Sequence, residues 1–286
     1  MKFVFFGTPR FAEIVLRGMF RAGMEPVALV CNPDRPVGRK KVVTPPPTKR
    51  LVQEHRIKAG TEILQPEKLD EDLIRRLEGL DPDLFVVAAY AKIIPSAVLR
   101  IPRLGTIGVH PSLLPQYRGA SPIQSALLNG EAETGVTLYR MDEKMDHGPV
   151  LAQEKLALDA LNTTYLELEE RLAKLAADLL GRAIPAFTEG KLKSIVQDES
   201  LATYTKKFMA EDGRVDGADL ALVEQGDAVL AEAIVRKMNA LTPEPGVWTM
   251  RDGKRVKLLK GAVENGRLKL LLTQREGEKP IRLRAR

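Results

Sequence analysis

The stretch LFVVAAY, residues 84–90, decides the fold, because it carries no charge and is apolar along its whole length. A strand with one face in water alternates polar and apolar residues, whereas a strand covered on both faces is apolar throughout. The stretches KFVFF (2–6) and GTIGVH (105–110) are largely apolar as well. These runs predict a parallel sheet with helices on both of its faces.

Helical patterns and further strands lie between these runs. Gly7 breaks the first strand, and Phe11, Val15 and Met19 then recur at helical spacing. The segment after this strand, GTPRFA, is not G-x-G-x-x-G, which argues against dinucleotide binding. Four more strands are expected at PVALV, EILQP, GVTLYRMD and GPVLAQEKLAL. Sites in such α/β sheets gather at the carboxyl ends of the strands, and His110 lies at such an end.

A long helix is expected next, with Thr164 and Glu167 forming a capping-box pattern at its start. Pro185 and Gly190 are expected to end it. The character of the chain then changes, and the polar stretch VQDESLATYTKK is typical of a linker.

A small β-rich second domain follows this linker. We expect a helix over about residues 220–238, then strands at GVWTMR, KRVKLLK and RLKLLLT, separated by Asp-Gly and Asn-Gly turns. The predicted domains are therefore 1–190, a linker at 191–205, and 206–286.

The composition bounds the class of protein. The chain has 286 residues and 44% hydrophobic residues, which suits two domains with ordinary cores. It has no run of about 18 uncharged apolar residues and no signal-peptide pattern, so we expect a cytoplasmic protein without a membrane span. The single cysteine, Cys31, excludes an intramolecular disulfide and a cysteine-rich zinc site.

Positive charge is concentrated in two places. The 36 residues from 251 to 286 contain 12 Lys and Arg against four Asp and Glu. A second cluster at 31–50 carries six Lys and Arg against one Asp. Such clusters suit a polyanionic partner such as nucleic acid, although a solvated surface explains them equally well.

The stretch GVHPSLLPQYRG, residues 108–119, surrounds one of only three histidines. Its prolines and adjacent leucines suit a rigid apolar loop beside His110, which could form a pocket wall. Asp146, in a later turn, could pair with His110, and such a pair suits proton transfer near neutral pH. His110 could instead be structural, or bind a metal with Asp146 and His147, but adjacent residues in a turn rarely converge on one ion. Ser112 is not in a G-x-S-x-G elbow, so it is not expected to be a nucleophile.

At HPSLLPQYRG the chain resembles the folate-dependent formyltransferases. Other motifs resemble, in the same order, the members that act on methionyl-tRNA: FFGTPRFA, NPDRPVGRKK, LQPEKL, AAYAKIIP, ETGVTLYRMD and QDESLATY. The resemblance implies a Rossmann-like α/β catalytic domain, a linker and an OB-like C-terminal domain that helps to hold tRNA. It implies 10-formyltetrahydrofolate as donor and the free amine of methionine on initiator tRNA as acceptor, with no metal.

The resemblance also implies roles for particular residues. His110 and Asp146 would be catalytic. Four residues would line the folate site: Ser112, Leu113, Leu114 and Pro115. Three basic residues would enter the acceptor stem of the tRNA: Arg39, Lys40 and Lys41. A monomer is expected, because no heptad or long apolar stripe is left over.

Two departures from the family pattern stand out. Gly108 occupies the position of an expected catalytic asparagine, and loss of one such donor costs about 10²–10³ in rate. We therefore expect a slow enzyme, in which Gly108→Asn raises kcat unless another group substitutes. The C-terminal domain is also short for a full five-stranded barrel.

Two rival functions remain open at this stage. One is a formyltransferase for an amino sugar or a small nucleotide amine, which would not need the basic clusters. The other is a catalytically weakened tRNA-binding homologue, which Gly108 alone supports. A formylation assay with charged initiator tRNA distinguishes both of these rivals from the function that the resemblance implies.

Overall fold

The computed structural model describes residues 1–38, 40–55 and 60–283. The chain divides into two compact units. The first unit comprises Met1–Arg118, Gly135–Lys155 and Glu170–Thr203, and the second comprises Gly119–Thr134, Leu156–Glu169 and Tyr204–Arg286. The domain boundaries 1–190, 191–205 and 206–286 stay predictions.

The described residues form strands and helices in a largely alternating order. The strands are β1 (Phe3–Phe6), β2 (Ala28–Val30), β3 (Arg35–Val37), β4 (Val42–Thr44), β5 (Glu62–Leu64), β6 (Leu84–Ala88), β7 (Thr106–His110), β8 (Arg118–Gly119), β9 (Glu133–Arg140), β10 (Val150–Ala157), β11 (Tyr204–Thr205), β12 (Trp248–Arg251), β13 (Lys254–Glu264), β14 (Arg267–Arg275) and β15 (Ile281–Arg282). The α-helices are α1 (Arg10–Arg21), α2 (Pro47–Glu54), α3 (Glu71–Gly79), α4 (Ser96–Leu99), α5 (Pro122–Asn129), α6 (Tyr165–Thr188), α7 (Gly217–Glu224) and α8 (Ala228–Leu241).

A seven-stranded sheet with the order β10-β9-β7-β6-β1-β2-β5 forms the centre of the fold. The pairs from β5 to β7 are all parallel, whereas β9 runs antiparallel to β7. The prediction of a Rossmann-like α/β domain with a parallel sheet core is confirmed. Because β9 runs the other way, the turn that follows it starts near the amino end of β7, where Met141 N donates to Thr106 O at 2.9 Å.

The apolar strands are buried as the sequence predicts. Every residue of β1 and β6 is buried, and α1 buries Phe11, Val15 and Met19 among others. Full burial of a large apolar side chain contributes about 1.5–3 kcal/mol. Gly7 ends β1, and a Cβ there would lie 2.7 Å from the Phe5 ring and 2.8 Å from the Ala88 carbonyl oxygen. Only glycine therefore fits this strand-to-helix turn.

The second unit contains an antiparallel sheet of four strands, in the order β12-β13-β14-β15. Within the described residues this sheet stops short of five strands, in line with the short C-terminal segment. The predicted single helix over 220–238 is wrong, because the structure has two helices, α7 and α8. Gly226, with φ 104°, breaks the run, and the Asp227 side chain then caps α8 by accepting from Leu230 N at 3.0 Å.

Helix α6 begins as predicted but ends later. Thr164 N donates to Glu167 Oε2 at 2.8 Å, and Glu167 N donates to Thr164 Oγ1 at 3.4 Å, so the capping box is confirmed. The helix continues through Pro185 to Thr188 and stops before Gly190, which has φ 68°. None of the helices in the described ranges is long and apolar enough to cross a membrane.

Candidate active site

His110 is the last residue of β7 and is only 5% exposed. Its Nε2 lies 2.9 Å from the Tyr117 carbonyl oxygen. A carbonyl can only accept a hydrogen bond, so Nε2 carries the hydrogen and Nδ1 is the ring atom that can take a proton. Nδ1 lies 3.7 Å from Asp146 Oδ2. The two residues predicted from the sequence are therefore brought together, and the backbone of Tyr117 orients the ring.

Asp146 lies in the turn between β9 and β10 in a left-handed conformation, with φ 51°. This conformation is uncommon for residues other than glycine and persists where surrounding contacts enforce it. The Gln197 side-chain amide supplies such contacts, donating to the carbonyl oxygens of Asp146 at 2.9 Å and Gly148 at 2.7 Å. The Tyr139 hydroxyl donates to Asp146 Oδ1 at 2.8 Å. Both the backbone and the carboxylate of Asp146 are thus fixed.

Arg118 lies in HPSLLPQYRG, the signature stretch that carries the family resemblance, and it fixes the side chain of Gln197. It is 1% exposed and donates to Gln197 Oε1 from Nη2 at 2.8 Å and from Nε at 3.2 Å. It also donates to both carboxylate oxygens of Glu199, at 2.7 and 3.0 Å. This paired arrangement holds the pKa of Glu199 below its usual range. The arginine of the signature therefore supports the turn of Asp146 through Gln197.

Buried polar side chains fix the backbone of the loop that follows His110. Ser112 is 1% exposed, and its hydroxyl donates to the Gln116 carbonyl at 2.6 Å. Thr137 Oγ1 accepts from Leu114 N at 3.0 Å and donates to the Ser112 carbonyl at 2.7 Å. The Ser112 hydroxyl is therefore engaged within the loop, and the sequence gives no reason to treat it as a nucleophile.

Two apolar residues of this loop keep part of their surface accessible. Leu114 is buried, whereas Leu113 and Pro115 are half-buried. The Gln153 amide donates to the Leu114 carbonyl at 2.8 Å, and this hydrogen bond also fixes the backbone of the loop. The loop thus presents apolar surface on a fixed backbone, which is what a preformed pocket wall requires.

Gly108 faces Tyr139 across the antiparallel pair of β7 and β9. A Cβ at residue 108 would lie 2.5 Å from Cζ and 2.8 Å from Oη of Tyr139. The tyrosine ring therefore fills the space that an asparagine side chain would need. Gly108→Asn can therefore be accommodated only if the Tyr139 ring moves, and the expectation that this substitution raises kcat stays a prediction.

His147 does not join His110 and Asp146 around a common point. Its Nδ1 lies 2.6 Å from Asp142 Oδ2, and its Nε2 lies 3.6 Å from Glu199 Oε1. In the part of the chain that the structure describes, no group of three or more His, Cys, Asp and Glu residues could hold a metal ion. An open pocket elsewhere in the first unit is lined by Arg100, Arg140 and neighbouring residues, and contains none of the predicted site residues.

A family model described as formyl transferase matches residues 1–184, and one described as formyl transferase, C-terminal domain, matches residues 229–270. The chain belongs to the formyl transferase family. It is 43% identical over 266 residues to a methionyl-tRNA formyltransferase of Synechococcus sp. (strain JA-3-3Ab), covering 92% of this chain and 77% of that protein. It is 41% identical over 259 residues to that of Halalkalibacterium halodurans, covering 90% and 77%.

Solved structures of other proteins share the fold. A methionyl-tRNA formyltransferase from Clostridium thermocellum superposes with a TM-score of 0.60 and 16% identity, covering 99% of each chain. HypX from Aquifex aeolicus in complex with tetrahydrofolic acid gives a TM-score of 0.64 and 19% identity, covering 99% of this chain and 46% of that one. At these identities the likeness concerns the fold alone.

Two of the residues expected to meet tRNA lie between β3 and β4, which form a two-stranded sheet of their own. Strands β3 and β4 pair antiparallel and form, with the turn between them, a basic hairpin spanning residues 35–44. Lys40 and Lys41 are exposed in that turn, and Arg39 lies outside the described residues. The neighbouring Val42 and Val43 are also exposed, at 60% and 64%. The hairpin thus offers cations and apolar surface together.

Sequence analysis missed three residues that shape the site: Tyr139, Arg118 and Gln197. Tyr139 lies in the expected strand GVTLYRMD, but its position opposite Gly108 follows only from the β7–β9 register. Arg118 and Gln197 lie in two of the motifs that carry the family resemblance. The available signals were the charge of Arg118 within HPSLLPQYRG and the glutamine that begins QDESLATY.

Proposed function

We propose that this formyl transferase moves a formyl group from 10-formyltetrahydrofolate to the amino group of methionine esterified to initiator tRNA. The observation that carries the proposal is the 43% identity to a methionyl-tRNA formyltransferase over 266 residues. That alignment includes the site and most of the C-terminal unit. The reaction requires no metal.

The chemistry assigned to His110 follows from its contacts. The neutral amine of methionine attacks the formyl carbon, the new C–N bond forms, and the bond from that carbon to N10 of the folate breaks. The amine loses one proton, and N10 of the folate gains one. His110 Nδ1 is the ring atom free to take the proton, and the Asp146 carboxylate at 3.7 Å stabilises the resulting imidazolium.

The fixed loop and two unpaired polar groups support a folate site at the same edge of the sheet. Leu113 and Pro115 supply apolar surface, with Ser112 and Leu114 holding the loop from within. Among the described residues, Asn32 Oδ1 and the Tyr90 hydroxyl are buried side-chain atoms with no hydrogen-bond partner. They follow β2 and β6 at the carboxyl edge of the sheet, where His110 is the last residue of β7. Buried polar groups that lack a protein partner suit a polar ring of a ligand.

Each of the two units carries a basic surface that fits tRNA. In the first, the basic hairpin exposes Lys40 and Lys41, and we propose that Arg39 acts with them. In the second, β13 buries Val256 and Leu258 and turns its basic residues, such as Lys257, to the exposed face. Positive charge on an exposed face is the electrostatic pattern of nucleic-acid binding.

Three further expectations belong to this proposal. The catalytic domain spans 1–190, the linker 191–205 and the tRNA-holding domain 206–286. The protein acts as a monomer in the cytoplasm, where initiator tRNA is charged. Size-exclusion chromatography with light scattering tests the monomer, and limited proteolysis across residues 191–205 tests the linker.

The decisive experiment supplies the purified protein with 10-formyltetrahydrofolate and methionyl initiator tRNA. The product is hydrolysed from the tRNA, and formyl-methionine is measured by mass spectrometry. We expect turnover that depends on both substrates and proceeds with chelator present. Free methionine and an amino-sugar nucleotide serve as matched acceptors that lack the tRNA.

Each result of this assay has a defined meaning. Formylation of charged tRNA, but not of the two small acceptors, supports the proposal. Equal or better formylation of the amino-sugar nucleotide would indicate that the protein is a formyl transferase for amino sugars. Tight binding of charged tRNA without turnover would identify a binding protein that has lost catalysis.

A further inference from the structure

Tyr139 and Gly108 form one packing unit beside the proposed catalytic pair. The two residues lie directly opposite each other in the β7–β9 register, where side chains on one face are close neighbours. The tyrosine ring occupies the space above Gly108, so that a Cβ there would lie 2.8 Å from the hydroxyl oxygen. The ring can reach this position only because residue 108 has no side chain.

From this position the Tyr139 hydroxyl reaches Asp146. It donates to Oδ1 at 2.8 Å, while the other carboxylate oxygen, Oδ2, lies 3.7 Å from His110 Nδ1. The two oxygens of Asp146 thus face two different partners. A hydrogen bond to a charged carboxylate is stronger than one between neutral groups and fixes the rotation of the carboxylate.

The hydroxyl remains a donor at any pH at which the enzyme works. Tyr139 is 4% exposed, and its burial, together with the nearby carboxylates of Asp146 and Asp142, raises the pKa of the phenol well above its ordinary value. A phenol held in its protonated form cannot compete for the proton that His110 takes. It can only support the carboxylate.

We propose that Tyr139 is a positioning residue, which holds the Asp146 carboxylate against His110 from the space that Gly108 leaves open. This inference rests on the proposed function for the identity of the reaction. It explains how Gly108 can stand at the carboxyl end of β7 without leaving an empty site. The glycine and the tyrosine are interdependent, so that each residue is useful only with the other.

The test compares Tyr139→Phe with Tyr165→Phe. Tyr139→Phe removes only the hydroxyl and keeps the ring over Gly108. Tyr165 is the matched control, because its hydroxyl also donates to a carboxylate, Glu169 Oε1 at 3.2 Å, outside the proposed site. For both variants, kcat and the two KM values are measured with charged tRNA and formyl donor from pH 5 to pH 9, and folding is checked by circular dichroism.

We expect Tyr139→Phe to lower kcat about tenfold, which is the loss of about 1.4 kcal/mol and matches a hydrogen bond to a charged group. Both KM values should change less than twofold, because the hydroxyl does not contact substrate. The acid limb of the pH–kcat profile should move to higher pH, because the ionised carboxylate loses a donor that favours its charged form. Tyr165→Phe should keep the kcat and the profile of the unaltered protein.

A second readout does not depend on turnover. The buried hydroxyl proton between Tyr139 and Asp146 should give a downfield proton NMR signal that Tyr139→Phe and Asp146→Ala both abolish, because each removes one partner of the hydrogen bond. Tyr165→Phe should retain it. An active protein in which Tyr139→Phe leaves kcat and the pH profile unchanged would overturn the inference, as would a signal that is absent at the outset or survives Asp146→Ala. Lack of any formylation by the unaltered protein would instead count against the proposed function, while the NMR signal still tests the contact.

Discussion

Gly108→Ala should destabilise the protein although it adds a single methyl group to a strand. The new Cβ would lie 2.5 Å from Cζ of Tyr139, whereas carbon atoms in contact are about 3.5–4.0 Å apart. The two residues must therefore separate by about 1 Å. The tyrosine ring is 4% exposed and its hydroxyl is held by Asp146, so a movement of the ring disturbs buried packing or that hydrogen bond.

The size of the effect follows from known costs of overpacking. Inserting a methyl group into a well-packed site costs about 1–3 kcal/mol. For a chain of this size, 1 kcal/mol lowers the melting temperature by about 2–4 °C, so we expect a decrease of about 2–12 °C. The turnover number should fall as well, because a displaced ring takes its hydroxyl away from the Asp146 carboxylate.

Differential scanning fluorimetry and the formylation assay measure these effects. Gly79→Ala is the matched control, because a Cβ at the end of α3 would meet nothing within 4 Å. It should keep or slightly raise the melting temperature, as alanine restricts the unfolded chain. Combining Gly108→Ala with Tyr139→Val removes the ring that the methyl group meets. The alanine should then cost less than it does alone, which a double-mutant cycle measures as coupling.

Two outcomes would refute this reasoning. If Gly108→Ala melts and turns over like the unaltered protein, the ring does not press on residue 108. If Gly108→Asn raises kcat, the asparagine finds room, and the simple expectation from family resemblance is restored. The double-mutant cycle separates these cases from general damage to the strand, because general damage would give additive losses.

The remaining predictions concern the other parts of the molecule. His110→Ala should lower kcat at least about 10²-fold with unchanged circular dichroism, and Asp146→Asn should act in the same direction; near-normal turnover in either would exclude the acid–base pair. Replacing Lys40 and Lys41 with alanine should weaken tRNA binding and reduce its salt dependence, since each phosphate contact contributes about 0.9 to the slope of log K against log salt concentration. An unchanged slope would show that these two lysines do not contact the phosphates of the tRNA. Burial raises the pKa of Cys31 to about 11, so the thiol is protonated below that pH and should resist iodoacetamide at pH 8 until the protein unfolds.

Much of the fold follows from local sequence because its signals are local. The apolar runs at 2–6 and 84–90 predict buried parallel strands, and every residue of the strands that form within them, β1 and β6, is buried. The capping box of α6 depends on two residues three positions apart, and it forms as expected. The split between α7 and α8 was missed, because Gly226 lies within an otherwise helical pattern and such a glycine is tolerated in many helices.

The site is less accessible to sequence analysis because its contacts depend on register. His110 and Asp146 were predicted as a pair from residue type and position at the ends of strands. The link between Gly108 and Tyr139 needs the antiparallel register of β7 and β9, which a one-residue slip would abolish. From the sequence, Gly108 therefore indicates only the loss of an expected hydrogen-bond donor. The structure shows that the Tyr139 ring fills the space beside it.

The buried Arg118 illustrates why a signature residue need not touch the reacting groups. An isolated buried guanidinium is costly, and here the cost is offset by Gln197 and by two charge-assisted bonds to Glu199. Glu199 is more than half exposed, so the pair by itself would contribute little stability. What the arrangement does fix is the orientation of Gln197, whose carbonyl oxygen accepts from the arginine while its amide donates to the turn of Asp146. If the Gln197 amide were turned the other way, its Oε1 would face the Asp146 carbonyl oxygen, and neither atom can donate a hydrogen bond. The charge of Arg118 thus determines which end of Gln197 faces Asp146, and through it the left-handed turn that brings the carboxylate to His110.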